Sequence, residues 1–318
     1  MSIPDYYAIG ETVVDLLVKS GKPLSMKAGG AMLNTCISLG RLGIPAHFMG
    51  EFSTDKTGVF IEEFLTANNV STEFTYRYNN GKTTLALAFL NEHNDAIYDF
   101  YKILPKKRLA INWPEFKEND VLHFGSIYSF DPAIRKQYAT LLEKASKANA
   151  ILVYDPNFRA PHKDSLPKIK LLIDENFRYA NIVKGSDEDF ELLFGLKTAE
   201  QVWGRMPENV TILIYTAAEK GATILFKDQV MCFSAKKLQV LSTVGAGDSF
   251  SAGFLFQMLK LLKNNRNIAS FTNKEWAGAV EAGIQCASLV CQKLDNYISL
   301  KEATLLKQDW KDELFSCL

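Results

Sequence analysis

Apolar and polar residues follow different rhythms in the two parts of the chain, with a change near residue 120. After that point, short apolar segments alternate with longer stretches in which apolar residues recur at helical spacing. The short segments predict strands over 121–124, 151–154, 181–184 and 211–215. The longer stretches predict helices over 133–146, 168–176, 249–263 and 275–293. Nearly continuous apolar strands that alternate with helices indicate a parallel sheet with helices on both faces.

The earlier part of the chain combines two predicted helices with several short strands. The first strands and helices are predicted over 6–10, 11–18, 31–42 and 58–68. From residue 70 to residue 101, β-branched and aromatic segments are separated by predicted turns at 79–81 and 92–95. We expect this hairpin-rich part to cover a site at the edge of the sheet.

The chain of 318 residues is long enough for one large α/β domain or two smaller ones. Lys and Arg together number 36, as do Asp and Glu, so the formal net charge is zero. A chain without excess positive charge is a poor candidate for binding the phosphate backbone of nucleic acids or an anionic membrane surface. Zero net charge still permits a local site for a small anion.

The cysteines and histidines do not have the spacing of a disulfide framework or of a zinc site. The five cysteines lie at 36, 232, 286, 291 and 317. No basic segment followed by an apolar signal sequence opens the chain, and no apolar run approaches the roughly 18 residues of a membrane span. We therefore expect a cytoplasmic protein whose partners include neither a membrane nor a nucleic acid.

The segment 241–250 joins a glycine-rich turn to an amphipathic helix. Gly245 and Gly247 allow the backbone to expose its N–H groups, and the positive end of the helix dipole favours a bound anion. Asp248 stands where a carboxylate either caps the helix or serves as a base. A carboxylate beside an anion-binding turn is the pairing that deprotonates a hydroxyl while a transferring phosphoryl group is stabilised.

Two familiar phosphate-binding motifs do not fit the sequence. A Walker A loop ending in Gly81-Lys82-Thr83 would need glycine at position 76, where Tyr76 stands. A dinucleotide fingerprint in the glycine-rich turn would need a third glycine at position 250, which is Phe250. A P-loop enzyme is therefore excluded, and an NAD-dependent dehydrogenase is a weak alternative.

Further motifs follow one another along nearly the whole chain. They occupy 10–15, 28–34, 41–43, 50–58, 83–86, 99–102, 123–126, 155–159, 184–189 and 243–248. In order and content, this series resembles the ribokinase-like (PfkB) carbohydrate kinases, and among them the fructokinases. The resemblance implies a three-layer α/β/α fold with a mainly parallel central sheet and a small β-sheet lid. It also implies one kinase domain over 1–318, with a discontinuous lid formed by approximately 11–27 and 70–104.

The resemblance implies a catalytic group at the glycine-rich turn. Asp248 would be the general base, and the amides of Gly245, Ala246 and Gly247 would form an anion hole. The sugar-binding residues that it implies are Asp15, Gly29, Gly30, Asn34, Phe100 and Arg159. A strand-end acid and a tight turn are the alternative explanation for the first four of these residues. Phe100 could instead belong to an ordinary strand core, and Arg159 could be a surface or structural arginine.

The resemblance also implies a nucleotide site and a metal site. The nucleotide-binding residues would be Lys184, Thr216, Ala218, Gly221, Thr243, Gly245, Gly247 and Gly283. Asp189 and Glu188 would hold Mg²⁺ through water. The chain departs from the family pattern at Asp189, where glutamate is usual, and at Ala218. The chain departs from the family pattern again at Ser242, and this departure leaves open whether potassium activates the protein. Small residues at a helix-packing face explain Gly283 equally well.

The activity implied by the resemblance is ATP-dependent phosphorylation of a monosaccharide at its primary hydroxyl, with fructose converted to fructose 6-phosphate. The alternatives are a kinase for ribose, a nucleoside or 2-keto-3-deoxygluconate, and a noncatalytic sensor of sugar or nucleotide on the same fold. The exposed edges of the β lid further predict a homodimer formed through that lid.

Overall fold

The computed structural model describes residues 3–90, 96–263 and 266–315, and the predicted turn at 92–95 lies outside these ranges. The strands are β1 (Tyr6–Ile9), β2 (Val13–Lys19), β3 (Lys22–Gly29), β4 (Ala46–Ser53), β5 (Val70–Ser71), β6 (Thr75–Tyr78), β7 (Lys82–Leu90), β8 (Ala96–Ile103), β9 (Val121–Gly125), β10 (Ile151–Asp155), β11 (Ile182–Ser186), β12 (Ile212–Thr216), β13 (Ala222–Phe226) and β14 (Gln229–Phe233). The α-helices are α1 (Ala31–Leu42), α2 (Lys56–Ala67), α3 (Arg135–Lys147), α4 (Leu166–Tyr179), α5 (Asp187–Phe194), α6 (Ala199–Trp203), α7 (Ala246–Leu262), α8 (Asn273–Cys291) and α9 (Leu300–Phe315).

The central sheet runs in the order β14-β13-β12-β11-β10-β9-β1-β4-β5, and β6 also pairs with β4. Strands β12 to β5 pair in parallel, whereas β13 and β14 add an antiparallel edge that the sequence analysis did not predict. The mainly parallel sheet is therefore confirmed. Parallel strands place their carboxyl ends along one edge, which is where open α/β sheets bind ligands.

Helices cover both faces of the central sheet, which confirms the three-layer fold. In β1, Tyr6 and Ala8 join the apolar cluster that includes Phe254 of α7 and Trp276 of α8. Tyr7 and Ile9 join the opposite cluster, to which α3, α4, α5 and α6 contribute. Alternate side chains of a buried strand point to opposite faces, so the continuous apolar run serves two cores at once. Among the described residues, no helix combines the length and apolar character needed to cross a membrane.

A second, smaller sheet forms the lid in the order β3-β2-β7-β8. The predicted lid segment 70–104 is partly wrong, because β5 and β6 pair in parallel with β4 of the central sheet. Val70 and Tyr78 are buried there, so their side chains stabilise the core instead of the lid. The lid strands occupy Val13–Lys19, Lys22–Gly29, Lys82–Leu90 and Ala96–Ile103. A single kinase domain over 1–318 stays a prediction.

A buried ion pair ties the segment that leaves the lid to the central sheet. Glu51 lies near the end of β4, and its carboxylate accepts hydrogen bonds from the Arg108 guanidinium and, at 2.8 Å, from the Leu109 amide. Arg108 also lies 3.5 Å from the Asp131 carboxylate. Leu109 has a left-handed φ of 45°, which is uncommon for a residue with a side chain. The Glu51 carboxylate therefore fixes the path of the backbone where the lid rejoins the core.

We expect Glu51→Gln to lower the free energy of unfolding by about 3 kcal/mol, because it leaves the Arg108 guanidinium buried without its carboxylate. Urea unfolding followed by tryptophan fluorescence measures the difference. The matched control is Glu115→Gln, which removes the partner of Lys144 at a side chain that is 91% exposed. An exposed pair contributes less than about 1 kcal/mol. Equal effects of the two substitutions would contradict the role of Glu51.

Candidate active site

The glycine-rich turn leads into α7 as the sequence predicts. Gly245 has a left-handed φ of 78°, and a Cβ at this position would lie 2.3 Å from the Asn296 carbonyl oxygen. Both features require glycine. The Ala246 amide donates a hydrogen bond to the Thr243 carbonyl oxygen at 3.2 Å, so this member of the predicted anion hole already has a partner within the turn. Gly245 and Gly247 line the cavity in front of the helix.

Asp248 is buried in the first turn of α7, and a neighbouring helix holds its carboxylate. The side-chain amide of Asn34, on α1, donates a hydrogen bond to Asp248 Oδ2 at 2.8 Å. The hydroxyl of Thr35 donates to the Asp248 carbonyl oxygen at 3.1 Å. Consecutive residues of α1 therefore fix both the side chain and the backbone of the predicted base.

The environment of Asp248 gives its carboxyl an unusual affinity for protons. Burial raises the pKa of Asp248 to about 6, although the hydrogen bond from Asn34 and the charge of Lys184 act to lower it. The nearby carboxylate of Asp155 acts in the same direction as burial. A carboxyl with a pKa near neutrality is suited to accepting a proton and releasing it again.

Lys184 lies behind the glycine-rich turn in a buried ion pair. Its ammonium is 2.8 Å from Asp155 Oδ2, and the two residues belong to the adjacent parallel strands β11 and β10. Burial acts to lower the pKa of Lys184, but the carboxylates of Asp155, Asp189 and Asp248 together outweigh it, and the pKa is raised. If Gly247 carried a Cβ, that atom would lie 3.1 Å from the Lys184 ammonium, so the ammonium packs against the turn at Gly247.

The lid contributes the second carboxylate of the site. Burial raises the pKa of Asp15, on β2, to about 6, while the charge of Lys27 acts to lower it. Gly29 on β3 faces this carboxylate, and a Cβ there would lie 2.6 Å from Asp15 Oδ2. Gly30 has a φ of 130°, and a Cβ there would lie 2.2 Å from the Glu11 carbonyl oxygen. Gly29 is therefore needed for its close approach to Asp15 on the neighbouring lid strand, and Gly30 for its close approach to the backbone at Glu11.

A cavity of about 690 Å³ joins the two carboxylates. The predicted residues that line it are Asp15, Asn34, Phe100, Arg159, Thr243, Gly245, Gly247 and Asp248. Phe100 stands on the lid with its side chain largely exposed, and the Lys102 ammonium lies 5.0 Å from the ring centroid. Arg159 is 3.9 Å from the Glu188 carboxylate, and both side chains are more than half exposed. The structure thus brings both sets of predicted ligands, from the lid and from the turn, to one cleft.

Asp189 combines a structural role with an unpaired oxygen. Asp189 Oδ2 accepts a hydrogen bond from the Ser186 amide, and the Asp189 amide donates one to the Ser186 hydroxyl oxygen, so the two residues form a capping box at the start of α5. Asp189 Oδ1 is buried and has no hydrogen-bond partner. Burial raises the pKa of Asp189, and the neighbouring Asp155 carboxylate raises it further.

Within the described ranges, no three metal-ligating side chains form a cluster. Mg²⁺ is commonly held by one or two carboxylates together with water and phosphate oxygens. The unpaired oxygen of Asp189 fits that kind of site.

Several residues predicted to bind nucleotide have structural explanations. A Cβ at Gly221 would lie 1.9 Å from the Phe233 carbonyl oxygen, and one at Gly283 would lie 3.0 Å from the Phe250 ring. Gly283 therefore serves the packing of α8 against α7. The Thr216 hydroxyl donates to the Gly185 carbonyl oxygen at 3.3 Å, and Ala218 has a left-handed φ of 41°.

The cavity also contains charged residues that the sequence analysis did not assign to it: Glu11, Glu51, Lys102, Arg108, Asp131 and His162. Glu11 follows β1, and Glu51 lies near the end of β4. Their position at the carboxyl ends of parallel strands is the sequence feature that would have identified Glu11 and Glu51 as candidates. Arg108 is separated from Glu51 by 57 positions, so no local pattern predicts their contact.

Known proteins resemble this chain in sequence and in fold. Residues 5–303 match the family described as pfkB family carbohydrate kinase. The chain is 30% identical over 265 residues to a probable fructokinase-2 of Arabidopsis thaliana, which covers 79% of this chain and 80% of that protein. It is 30% identical over 271 residues to a fructokinase of Rhizobium leguminosarum bv. trifolii, with 82% of each chain covered.

Solved structures share the fold over nearly the whole chain. A fructokinase from Vibrio cholerae O395, in a form with bound fructose, ADP and calcium ion, superposes with a TM-score of 0.82 over 96% of this chain and 99% of that chain. An aminoimidazole riboside kinase from Salmonella enterica gives a TM-score of 0.78 over 95% and 99%. Their sequence identities, 21% and 20%, show the fold alone. From the match over residues 5–303, this chain belongs to the pfkB family of carbohydrate kinases.

Proposed function

We propose that this protein transfers the γ-phosphate of ATP to the primary hydroxyl of a monosaccharide, with fructose as the first candidate. The observation that carries the proposal is the buried Asp248 carboxylate, which lies beside the glycine-rich turn and lines the same cavity as Asp15. Relatives named fructokinase, about 30% identical over four fifths of the chain, support fructose as the sugar.

Asp248 is the proposed general base. Its carboxylate accepts the proton of the sugar hydroxyl as the hydroxyl oxygen attacks the phosphorus. The hydrogen bond from Asn34 holds one carboxylate oxygen, which leaves the other oxygen for the substrate. Because the pKa of Asp248 is about 6, the carboxyl is largely ionised at neutral pH and still basic enough to accept a proton.

The turn and Lys184 stabilise the charge on the transferring group. The backbone at Gly245 and Gly247 and the N-terminal end of α7 present partial positive charge to the cavity. The buried Lys184 ammonium lies directly behind Gly247 and adds a full charge. Phosphoryl transfer depends mainly on such positioning and electrostatic stabilisation. Thr243, at the same turn, completes the proposed phosphate contacts.

Mg²⁺, when bound with the nucleotide, supplies further neutralisation of the phosphate charge. Asp189 would hold it through water by its unpaired Oδ1, with Glu188 nearby. Of the other predicted nucleotide ligands, Thr216, Ala218 and Gly221 keep that role in the proposal. The packing of Gly283 on Phe250 instead accounts for the glycine at 283.

The sugar would bind between the lid and α1. Asp15 accepts hydrogen bonds from hydroxyls, and the side-chain amide of Asn34 lines the same wall. Phe100 and Arg159 stand at the mouth of the cleft, where they would cover the sugar and exclude water.

The homodimer through the lid and the cytoplasmic location remain predictions. Exposed apolar side chains on the lid, including Met26 and Ile97, favour the former.

A sugar panel tests the proposed reaction. We expect ADP to form with Mg²⁺, ATP and fructose, and the product to carry phosphate at its primary hydroxyl. Ribose, nucleosides and 2-keto-3-deoxygluconate in the same panel test the related substrates. If none of these compounds stimulates ADP formation, the proposal is wrong and tight binding without turnover, measured by calorimetry, would identify a sensor.

We expect Asp248→Asn to lower kcat by about 10²- to 10⁴-fold, because the amide cannot accept the proton from the substrate hydroxyl. The variant should still bind ATP and sugar, since its shape is unchanged. The control is Asp228→Asn, at an exposed turn between β13 and β14. Steady-state kinetics and calorimetry on both variants separate loss of chemistry from loss of binding. Full activity of Asp248→Asn would exclude the carboxylate as the base.

The pH dependence of kcat/KM follows from the two raised pKa values. Asp248 and Asp15, each with a pKa of about 6, become protonated as the pH falls below that value. We therefore expect kcat/KM to fall by about tenfold or more for each pH unit below this point. Asn34→Ala removes a hydrogen bond that lowers the pKa of Asp248. In this variant, the fall of kcat/KM on the acidic side of the pH profile should therefore begin at a higher pH. An unchanged rate down to about pH 4.5, well below both pKa values, would contradict this assignment.

A further inference from the structure

Lys27, on lid strand β3, reaches across to the loop that follows α8. Its ammonium donates a hydrogen bond to the Leu294 carbonyl oxygen and lies 3.3 Å from the Asp295 carboxylate. The Lys27 side chain is only 14% exposed. This contact joins the lid to a part of the core that is 267 positions away in the sequence.

The glycine-rich segment is contacted on both sides of this loop. Just before the loop, at the last residue of α8, the Cys291 carbonyl oxygen accepts hydrogen bonds from the amides of Leu241 at 2.8 Å and Ser242 at 3.3 Å. At its end, Asn296 lies against Gly245 so closely that a Cβ on Gly245 would be 2.6 Å from the Asn296 Cα. The loop 292–296 therefore supports the segment that enters α7.

Lys27 also acts on Asp15, a residue that lines the cavity. It is paired with Asp15 in the register of the β2–β3 hairpin, and its charge acts against burial to lower the pKa of Asp15. Asp15 lines the cavity together with Gly245. One lysine thus interacts with the lid carboxylate and with the loop that supports the turn.

We infer that Lys27 is a positioning residue that couples Asp15 on the lid to the glycine-rich turn at Gly245, through the loop 292–296. The assignment of sugar to one side and nucleotide phosphate to the other rests on the proposed function. The lysine itself acts from outside the cavity. Its ion pair with Asp295 holds the loop against the turn, and its charge favours the ionised form of Asp15.

The loop has a second anchor that does not involve the lid. Lys293 forms an ion pair with Glu302 on α9, and this pair remains when Lys27 is replaced. A variant at Lys27 should therefore fold, with a loop that is held on one side only. The expected consequence is a less ordered glycine-rich turn and weaker nucleotide binding even when no sugar is present.

The test compares Lys27→Met with the wild-type protein in the absence of sugar. We expect the Kd of ADP with Mg²⁺, measured by calorimetry, to rise by about three- to tenfold. Amide hydrogen exchange should become faster over 241–247 and 292–297. Lys27→Arg, which keeps the charge, should retain most of the wild-type affinity. Lys22→Met, at an exposed lysine on the same strand, should leave both measurements unchanged.

A double-mutant cycle with Asp295→Asn isolates the ion pair. If Lys27 acts through Asp295, the double variant should bind ADP no more weakly than the weaker single variant. Wild-type affinity and exchange in Lys27→Met, or an equal change in Lys22→Met, would overturn the inference. Hydrogen exchange requires neither ligand nor turnover. A negative sugar panel would therefore count against the proposed reaction, while the hydrogen-exchange comparison would still test the role of Lys27.

Discussion

The active site depends on the burial of several carboxyl groups around one ammonium. Lys184 pairs with Asp155, and the charges of Asp189 and Asp248 also act on it. Removing charged groups from water is costly, and attraction to a partner offsets that cost only in part. The raised pKa of Asp248 is the direct consequence, because its carboxyl is buried and shares its nearest cation with other acids. The raised pKa that suits Asp248 to the proposed role of base therefore results from the burial of several carboxyl groups close together.

The topology of the fold brings these charged side chains together. The parallel strands β10 and β11 bring Asp155 and Lys184 to the same edge of the sheet, although they lie far apart in sequence. The glycine-rich turn then places the N-terminal end of α7 over that edge, and α1 supplies Asn34 to hold the Asp248 carboxylate. The charge of Asp189, whose Oδ1 is buried without a hydrogen-bond partner, acts on the same ammonium. In the proposed reaction, the phosphates of the nucleotide and their cation would bind next to this group of charges.

Much of this arrangement could be predicted because it depends on local patterns. The apolar periodicity predicted the central strands and the long helices, and the spacing at 245–248 predicted the turn and the helix that begins with Asp248 in its first turn. The lid boundary could not be predicted in the same way, because β6 has the same β-branched and aromatic character as a lid strand and only its pairing with β4 distinguishes it. The contact of Glu51 with Arg108 and that of Lys27 with Asp295 are equally non-local. Gly283 is ambiguous for a related reason, since a small residue suits a ligand or a neighbouring helix equally well.

The two carboxylates that face the cavity are balanced by cations that do not line it. Lys184 acts on Asp248 from beneath the glycine-rich turn, and Lys27 acts on Asp15 from across the β2–β3 hairpin. Each ammonium favours the ionised carboxylate without occupying the face that a hydroxyl would approach. A cation bonded directly to either carboxylate would instead compete with the substrate for the same oxygens. Because the compensating charge lies behind each carboxylate, Asp15 and Asp248 can remain ionised near neutral pH and still accept hydrogen bonds from a sugar.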